Sequence, residues 1–327
     1  MGRPSLKDIA QVLGYSVSTV SRSLNNKGEI DPKTRERIRE KAREMGYVPN
    51  YAARSLKGKN SQLIGVIIDD NTNPFYAEVF KGMEREAQKR GYHLLLINTH
   101  SSLEDQEYAL SLMKSRGVDG LLVAPVRDTN PEDLEGVKLP FVIVGRHFDG
   151  SDFYEVYNDE VLGGYLATRH LIEDGKRCPL HIRSRLDLFP ARGRLEGYLR
   201  ALNEVGMGEC PVLAVERDPA EIPALLEGFL DSGGKFDGIF AYNDLYAMET
   251  LLFLKKRGIA VPKEVSVVGY DNIPYSAYTS PSLTSVALDE IWLGKKSVSL
   301  LTSLLEGKKP RKKQWIQKPI LNVKESG

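Results

Sequence analysis

Residues 16–26, SVSTVSRSLNN, combine short hydroxyl side chains with one long cation, Arg22, at helical spacing. Val20 and Leu24 lie four residues apart and would share one buried face, which leaves the other side chains toward solvent. Hydroxyls donate to phosphate oxygens, and an arginine pairs with guanine N7 and O6 in the major groove. This chemistry predicts DNA recognition. The predicted assignments are base reading by Val17, Ser18 and Arg22, and phosphate contact by Ser16, Thr19, Ser21 and Asn25.

Three short helices are predicted to position this stretch. Ser5 followed by Asp8 indicates a capping box for the first helix, and Gly14 ends that helix. Ser16 caps the second helix, and Asp31 followed by a proline begins the third. Two helices joined by a tight turn predict a helix-turn-helix whose second helix enters the major groove. A small three-helix bundle without a ligand is the alternative.

Charge separates this head from the rest of the chain. Residues 1–60 contain 13 Lys and Arg against 6 Asp and Glu, although the whole chain has a net charge of only +1. A basic head on an acidic body is typical of a module that binds a polyanion. A solvated helix over residues 33–44 would explain part of the same excess.

From residue 62 onward, apolar strands alternate with longer helical segments, which predicts doubly wound parallel sheets. About 260 residues exceed one such sheet, so two similar lobes are expected. The predicted strands are 63–68, 93–98, 120–125, 141–145, 179–182, 212–215, 238–242 and 265–270. The predicted helical segments include 75–90, 103–115, 160–173, 192–205 and 243–257.

Polar and aromatic residues follow several of these strands, where ligands of parallel sheets bind. Asp69, Asn73 and Phe75 follow the first strand, Arg146 follows the fourth, and Asp271 follows the last. Carboxylates and amides that bond hydroxyls, beside aromatic walls, suit a sugar. The alternatives are helix N-caps for the carboxylates, with Asp244 after Asn243 as the clearest example, and a structural salt bridge between Asp271 and Arg194 on a nearby helix.

Composition excludes several other classes of protein. No run of about eighteen apolar residues is present, and the N-terminus lacks an apolar signal segment, so a cytoplasmic protein is expected. The two cysteines have no metal-ligand spacing, and neither a cofactor nor a metal is expected. An enzyme that uses the cleft carboxylates, and a solute-binding protein that serves a transporter, are the rival classes. The absence of nucleotide-binding and nucleophile motifs disfavours the enzyme, and the basic head disfavours the solute-binding protein.

Residues 5–68, from SLKDIAQVLGYSVSTVSRSLNN to LIGVII, resemble the head of the LacI family of bacterial transcription regulators. The resemblance is dense and covers the whole head. It implies a homodimeric repressor that binds a pseudo-palindromic operator at the nucleoid. The implied domains are a helix-turn-helix head at 1–48, a hinge at 49–61 and an effector-binding and dimerisation body at 62–327.

The resemblance also implies a role for the hinge. Its short helix would fold in the minor groove at the operator centre, with Leu56 wedged between base pairs and Ala53 and Lys57 in the groove. Ordinary packing of Leu56 against the body is the alternative.

For the body, the resemblance implies a periplasmic-binding-protein-like fold. The first lobe would hold residues 62–158 and 288–311 and the second 159–287 and 312–327, with chain crossings near 158, 287 and 312. An effector would bind between the lobes. The implied effector contacts are Arg194, Asn243 and Asp271, with Phe75, Tyr76 and Phe240 lining the pocket, beside Asn73 and Arg146 from the strand ends.

Two stretches depart from the usual family pattern. The segment VIVGR, residues 142–146, is similar to regulators of maltose and related oligosaccharides, which favours a glucoside effector. The segment HIRSRLD, residues 181–187, replaces the usual I-G-G. A non-sugar effector and a phosphoprotein co-repressor remain alternatives.

Overall fold

The protein's structure is a computed structural model that describes residues 4–26, 28–47, 60–184, 188–216 and 218–327. Its contacts divide the chain into two compact units, Met1–Ser61 and Gln62–Gly327. The first unit contains the helical head and the second contains the α/β body. Within the described residues, none of the helices has the length and apolar content of a membrane span.

The head contains three helices, α1 (Leu6–Leu13), α2 (Val17–Leu24) and α3 (Pro32–Glu44). Ser5 and Asp8 form the expected capping box, in which the Ser5 backbone N donates to Asp8 Oδ2 at 2.7 Å. Gly14 ends α1 with φ +71°, a conformation that favours glycine. Asp31 accepts from the Thr34 backbone N at 2.9 Å and caps α3. Local capping chemistry thus sets the helix boundaries.

The head packs around five buried side chains contributed by all three helices. They are Ile9, Ala10, Val20, Ile38 and Ala42. Leu24 and Tyr15 pack against this cluster while partly exposed. The hydroxyl of Ser23 is also buried, and it donates to the Arg35 carbonyl of α3 at 3.5 Å. The core is small, so it holds α2 in place mainly through Val20 and Ser23.

The body contains two six-stranded sheets. The first sheet has the order β11-β5-β4-β3-β1-β2 and is parallel throughout. Its strands are β1 (Leu63–Ile68), β2 (His93–Asn98), β3 (Gly120–Val123), β4 (Phe141–Val144), β5 (Glu155–Asn158) and β11 (Gln314–Gln317).

The second sheet has the order β12-β10-β9-β8-β6-β7, with β12 antiparallel to β10 and the other pairs parallel. Its strands are β6 (Pro179–Ser184), β7 (Val212–Val215), β8 (Gly238–Ala241), β9 (Ser266–Asp271), β10 (Thr284–Ala287) and β12 (Ile320–Asn322).

Helices cover both faces of each sheet. They are α4 (Pro74–Lys89), α5 (Leu103–Ser115), α6 (Pro131–Glu135), α7 (Glu160–Glu173), α8 (Phe189–Glu204), α9 (Ile222–Asp231), α10 (Asp244–Lys256) and α11 (Glu290–Leu305). In the first lobe, α4 and α11 pack on the face of Val66, and α5 packs on the opposite face with Ile67. In the second lobe, α9 and α10 cover one face, and α7 and α8 cover the other.

The chain passes between the lobes three times. It leaves the first sheet after β5 at Asn158 and returns after β10 at Ala287, close to the expected crossings. The third crossing lies at residues 318–319, between β11 and β12, and not near 312. The short polar strand β11 hydrogen-bonds to β5, so residues 314–317 belong to the first lobe.

Two helix pairs approach so closely that glycine is required at their contacts. A Cβ on Gly164 of α7 would overlap the Arg194 carbonyl oxygen of α8, and one on Gly197 of α8 would overlap the Val161 carbonyl oxygen of α7. In the first lobe, Gly82 of α4 and Gly294 of α11 meet their partner helices in the same way. The α7–α8 contact sets the position of Arg194.

We expect Gly164→Ala to lower the free energy of unfolding of the body by about 1–3 kcal/mol, because overpacking forces the two helices apart. Gly228→Ala on α9 is the matched control, since its Cβ meets no atom within 4 Å. The control should raise stability by about 0.5–1 kcal/mol, the usual gain for alanine over glycine in a helix. Urea unfolding followed by circular dichroism measures both changes. Equal shifts of the same sign in the two variants would contradict the close-packing account.

Candidate DNA-binding helix and ligand cleft

The hydroxyl groups at the start of α2 bond to one another. Ser16 Oγ accepts from the Thr19 backbone N at 3.0 Å and caps the helix. The same oxygen lies 2.7 Å from Ser18 Oγ and 2.8 Å from Thr19 Oγ1. Ser16 is therefore a helix cap as well as a predicted phosphate contact. A hydroxyl has one donor and two acceptor sites, and these three contacts use all of them, so a phosphate would have to replace one of the hydroxyl–hydroxyl bonds.

The outer face of α2 presents the three predicted base-reading side chains to solvent. Val17 is 41% exposed, which is unusual for a valine and fits a side chain that is free to contact a partner. Ser18 and Arg22 are exposed and lie on one face at i and i+4. The fully buried Val20 lies on the inner face. The fold therefore brings these three predicted residues together on one surface.

Of the remaining predicted phosphate contacts, Asn25 is exposed and the other two are less open. Thr19 and Ser21 are half-buried, and the Asn25 side-chain amide donates to the Ser21 carbonyl at 2.6 Å, which closes the end of the helix. The hinge residues Ala53, Leu56 and Lys57 lie outside the described residues.

In the body, the predicted ligand residues lie at the strand ends that face between the lobes. Asn73 and Asn243 are helix N-caps: Asn73 Oδ1 accepts from the Phe75 backbone N at 3.0 Å, and Asn243 Oδ1 accepts from the Tyr246 backbone N at 3.0 Å. Both asparagines are thus helix N-caps, a role that was expected from sequence only for the carboxylates. The cap uses the side-chain amide oxygen of each asparagine and holds the side chain at the end of the preceding strand.

Arg194 is the centre of the second lobe's part of this cleft. Its Nε donates to Glu160 Oε2 at 2.9 Å, and its Nη1 donates to the Tyr242 carbonyl at 2.6 Å. Its Nη2 lies 3.5 Å from Asp271 Oδ1. The guanidinium stacks 3.6 Å from the centre of the Tyr270 ring. The pKa of Arg194 lies above its usual value, because the carboxylates of Glu160 and Asp271 outweigh the cost of burial.

Asp271 is held in an unusual backbone conformation. Its φ is +92° and that of Asn272 is +52°, both in a region that residues other than glycine rarely adopt. The side chain is 5% exposed, and Oδ1 has no hydrogen-bond donor within the described residues. Burial raises the pKa of Asp271 well above its ordinary value, although the Arg194 charge opposes the shift. A buried acceptor with an empty hydrogen-bonding site is suited to a ligand hydroxyl.

Asp244 supports this turn and is not the helix N-cap that was offered as an alternative from sequence; the cap is Asn243. The Asp244 carboxylate accepts from the Ser285 hydroxyl at 2.6 Å and from the Ile273 backbone N at 2.8 Å. Burial raises its pKa to about 7, against the lowering effect of these bonds. Because both partners lie on segments distant in sequence, no local pattern indicated this role.

Tyr76 is the residue of the first lobe that lies near these groups of the second lobe. Its hydroxyl lies in a buried environment that also contains Asp69 of its own lobe and Tyr242, Asp271 and Arg194 of the other. Burial is the main cause that raises its pKa, followed by the nearby carboxylate of Asp69. Phe75 packs edge-on against Tyr76 at 5.3 Å between ring centres. Both predicted aromatic residues of α4 therefore lie near the opening between the lobes.

Phe240 does not line the cleft as expected. It is fully buried in the core of the second lobe, stacked 4.5 Å from His181 and 6.4 Å from Tyr270 between ring centres. The residue that reaches the site is Tyr242, whose ring lies 4.6 Å from the Arg194 guanidinium. β8 ends at Ala241, so Phe240 lies within the strand and packs in the core, whereas Tyr242 lies beyond the strand end and reaches Arg194.

Arg146 holds backbone rather than acidic side chains. Its Nη1 donates to the carbonyls of Pro125 and Val126, and its Nη2 to those of Arg127 at 3.1 Å and Thr129 at 3.5 Å. These bonds fasten the loop after β3 at the lobe's inner edge. In the described parts of the chain, no cluster of His, Cys, Asp or Glu side chains is arranged to hold a metal ion.

Comparisons with known proteins agree with this architecture. Residues 5–50 match the family described as bacterial regulatory proteins, lacI family, and residues 61–324 match periplasmic binding proteins and sugar binding domain of LacI family. The HTH-type transcriptional repressor PurR of Aliivibrio salmonicida (strain LFI1238) is 31% identical over 98% of both chains. The ribose operon repressor of Haemophilus influenzae is 29% identical over 98% of both chains.

Two solved structures are similar over nearly the whole chain. The transcriptional regulator CelR–cellobiose complex is 28% identical, with a TM-score of 0.76, and the match covers 99% of this chain and 100% of that one. The lac repressor dimer bound to operator and the anti-inducer ONPF has a TM-score of 0.90 at 24% identity over 99% of both chains. The second likeness shows the shared fold.

Asp244 predicts a pH dependence of stability. Because its pKa is about 7 in the folded chain and near 3.8 when unfolded, the folded state binds the proton more tightly between these values. The free energy of unfolding should therefore fall as the pH rises from about 4 to 7, by at most ~1.4 kcal/mol per pH unit for this group. Asp244→Asn removes this contribution, so the difference between the wild-type and variant curves should slope over that range.

Urea unfolding at several pH values measures these curves. Burial also raises the pKa of Glu290 to about 7, and the Asp244 charge adds to this shift and to that of Asp271, so the difference between the curves includes the loss of these couplings. Asp231→Asn, at an exposed position of the same lobe, removes an equal charge and is the control. Parallel curves for the wild type and Asp244→Asn would contradict the assignment.

Proposed function

The chain belongs to the LacI family of bacterial regulatory proteins and is a DNA-binding transcriptional repressor rather than an enzyme, and from this premise we propose that it represses carbohydrate-utilisation genes under the control of a sugar bound between its lobes. The family membership rests on matches that together span residues 5–50 and 61–324. The observation that carries the ligand part of the proposal is the buried, unsatisfied oxygen of Asp271 beside Arg194.

For DNA, we assign base reading to Val17, Ser18 and Arg22, because all three project from the outer face of α2. A long cation next to short side chains lets the helix approach the groove while one guanidinium reaches a guanine edge. The predicted phosphate contacts are Ser16, Thr19, Ser21 and Asn25. Minor-groove contact by Ala53, Leu56 and Lys57 is part of the same proposal and rests on the resemblance of the hinge to the family.

The proposed operator is pseudo-palindromic, because the proposed repressor is a homodimer and two-fold protein symmetry requires two related half-sites. A repressor of this kind acts at the nucleoid in the cytoplasm.

For the ligand, a sugar fits the donors and acceptors available. Asp271 accepts from a hydroxyl, Arg194 donates to one, and the rings of Tyr76 and Tyr242 offer flat apolar walls. Relatives named for ribose and cellobiose support this class. The VIVGR resemblance favours a glucoside. A non-sugar effector or a phosphoprotein co-repressor would bind without the aspartate–hydroxyl bond, so the variants below separate these alternatives.

The ligand would act on DNA binding through the angle between the lobes. The cleft contains Tyr76 of one lobe and Arg194 and Asp271 of the other. A molecule that bonds to residues of both lobes therefore favours one angle between the lobes. It can shift operator affinity only by the difference between its affinities for the two states. Whether it induces or co-represses depends on which angle permits operator binding.

Arg22→Ala should reduce the preference for operator over scrambled duplex by about tenfold or more, because a bidentate arginine–guanine pair is worth roughly 1–3 kcal/mol. Fluorescence anisotropy on a duplex selected by the wild-type protein measures this ratio. The control is Arg43→Ala, an exposed arginine of α3, which removes the same charge. The control should weaken binding to both duplexes alike. If Arg22→Ala retains the full preference, the assignment of Arg22 is wrong.

A sugar that binds the cleft should raise the melting temperature, with about 2.7 kcal/mol of stabilisation at one hundred times Kd. Screening mono- and oligosaccharides by thermal shift identifies it. Asp271→Asn should weaken that sugar at least about tenfold, because the charged acceptor is lost. Asparagine is chosen because it tolerates positive φ. Asp231→Asn is the control. If the sugar raises the melting temperature of Asp271→Asn as much as that of the wild type, the proposed site is wrong.

A further inference from the structure

A dense cluster of positive charge lies between α11 and β11 of the first lobe. Residues 308–313, KKPRKK, contain five cations and no carboxylate. The chain from residue 61 onward is acidic overall, with 32 Lys and Arg against 38 Asp and Glu. The dipole of α11 favours cations only within the last turn of that helix, which ends at Leu305. The helix dipole therefore does not account for this basic segment.

Hydrogen bonds hold the basic segment in place against β5 and the residues before it. The Glu155 backbone N donates to the Lys313 carbonyl at 2.8 Å, and the Tyr154 hydroxyl donates to the Pro310 carbonyl at 3.2 Å. Lys313 Nζ also pairs with Asp152 Oδ2 at 3.1 Å. The segment is thus fixed at its middle and at its end, so its charges have a defined position on the lobe.

Three of the five cations remain available to a partner. Lys308 and Lys313 each pair with a carboxylate, at 2.6 Å and 3.1 Å. Lys309 and Arg311 are exposed, and within the described residues neither has an ion-pair partner. Lys312 is exposed as well, with its Nζ 5.9 Å from the centre of the Trp315 ring.

The sheet register places the basic segment at the edge of the first lobe where the chain enters the body. All strand pairs of the first sheet are parallel, so the amino-terminal ends of its strands lie along one edge, here called the entry edge. β1 begins at Leu63, two residues after the head unit ends at Ser61. β11 begins at Gln314, directly after the basic segment. The predicted ligand residues lie at the opposite edge, where the strands end.

The basic segment is close to the point of entry. Three strands separate β11 from β1, so the two lie about 19 Å apart at the usual spacing between strands. A duplex that passes along the entry edge covers this distance with about six base pairs. Residues 48–61, which join the head to this edge, span at most about 50 Å. DNA that the head holds is therefore present at a high effective concentration near the entry edge.

We propose that Lys309, Arg311 and Lys312 bind phosphates of the duplex DNA that flanks the operator. The body then adds a contact that is independent of sequence to the sequence-reading contact of the head. This inference rests on the proposed function, since it requires an operator held by the head. Exposed cations bind the phosphate backbone by releasing its counterions, so they need no particular base sequence.

Protection of the strand edge is the alternative role for these cations. β11 is the outer strand of the first sheet, and its Ile316 is 49% exposed. Lysine and proline beside such a strand hinder pairing with another chain. Lys309 and Arg311 precede the strand by several residues, whereas Lys312 and Lys313 adjoin it. A variant of the first two therefore separates DNA binding from edge protection.

The test uses the full chain and a duplex selected by the wild-type protein. The duplex is trimmed to the selected site or extended at each end by about 20 base pairs of random sequence. The variant combines Lys309→Gln with Arg311→Gln. The control combines Lys263→Gln with Arg177→Gln, which removes one exposed lysine and one exposed arginine of the second lobe. Within the described residues, neither control position has an ion-pair partner.

Fluorescence anisotropy at several salt concentrations measures the gain in affinity from the extension. The wild type and the control should bind the extended duplex more tightly than the trimmed one, by about tenfold or more at 0.1 M salt. The variant should lose most of this gain and keep its affinity for the trimmed duplex. On the extended duplex, the slope of log K against log salt should be smaller for the variant by about 0.9 for each lost phosphate contact.

The outcomes distinguish this inference from the proposed function. An equal gain in the variant and the control overturns the flanking contact, and self-association of that variant in sedimentation then favours edge protection. A wild-type protein that prefers operator over scrambled duplex but gains nothing from the extension also overturns the flanking contact, while the proposed repressor stands. A wild-type protein without any operator preference overturns the repressor itself.

Discussion

The body depends on one buried ion pair, that between Arg194 and Glu160 at 2.9 Å. Glu160 begins the helix that follows the first lobe crossing, and Arg194 also bonds the Tyr242 carbonyl at the end of β8. One guanidinium thus connects the start of α7, the second turn of α8 and a strand end of the second sheet. Removal of either partner would leave an uncompensated buried charge, which costs about 3–5 kcal/mol. The cleft geometry therefore follows from a contact that is needed for folding.

Close helix packing makes that ion pair possible. Gly164 and Gly197 let α7 and α8 meet backbone to backbone, which brings Glu160 within reach of Arg194. The first lobe repeats the arrangement with Gly82 and Gly294, so the two lobes share both a sheet order and a way of joining helices. Because the helices within each lobe are tightly packed, movement of one lobe relative to the other must occur at the three crossings. Opposite charges join within the second lobe at Arg194, whereas Arg146 in the first lobe bonds only backbone carbonyls among the described residues.

Local patterns were sufficient for most elements of the fold. The caps at Ser5 and Asp31 and the long apolar strands from 63–68 to 265–270 were predicted from sequence and are confirmed, with boundary shifts of one or two residues. The strands β5, β10, β11 and β12 were not predicted, because they are short and mix polar with apolar residues. Such strands exist through pairing with neighbours distant in sequence, as β11 does with β5. The third crossing was misplaced for this reason.

The sequence by itself determined the family, the helix-turn-helix with its outward Arg22, and the strand ends at which a ligand site must lie. These features depend on side-chain spacing and capping within a few residues. Only the tertiary structure decided which of the candidates share a site. It buried Phe240, placed Tyr242 against Arg194, bonded Arg146 to backbone carbonyls, and set Phe189 at the start of α8 against the first lobe. These outcomes depend on sheet order and helix approach, which join residues far apart in the chain and leave no local pattern.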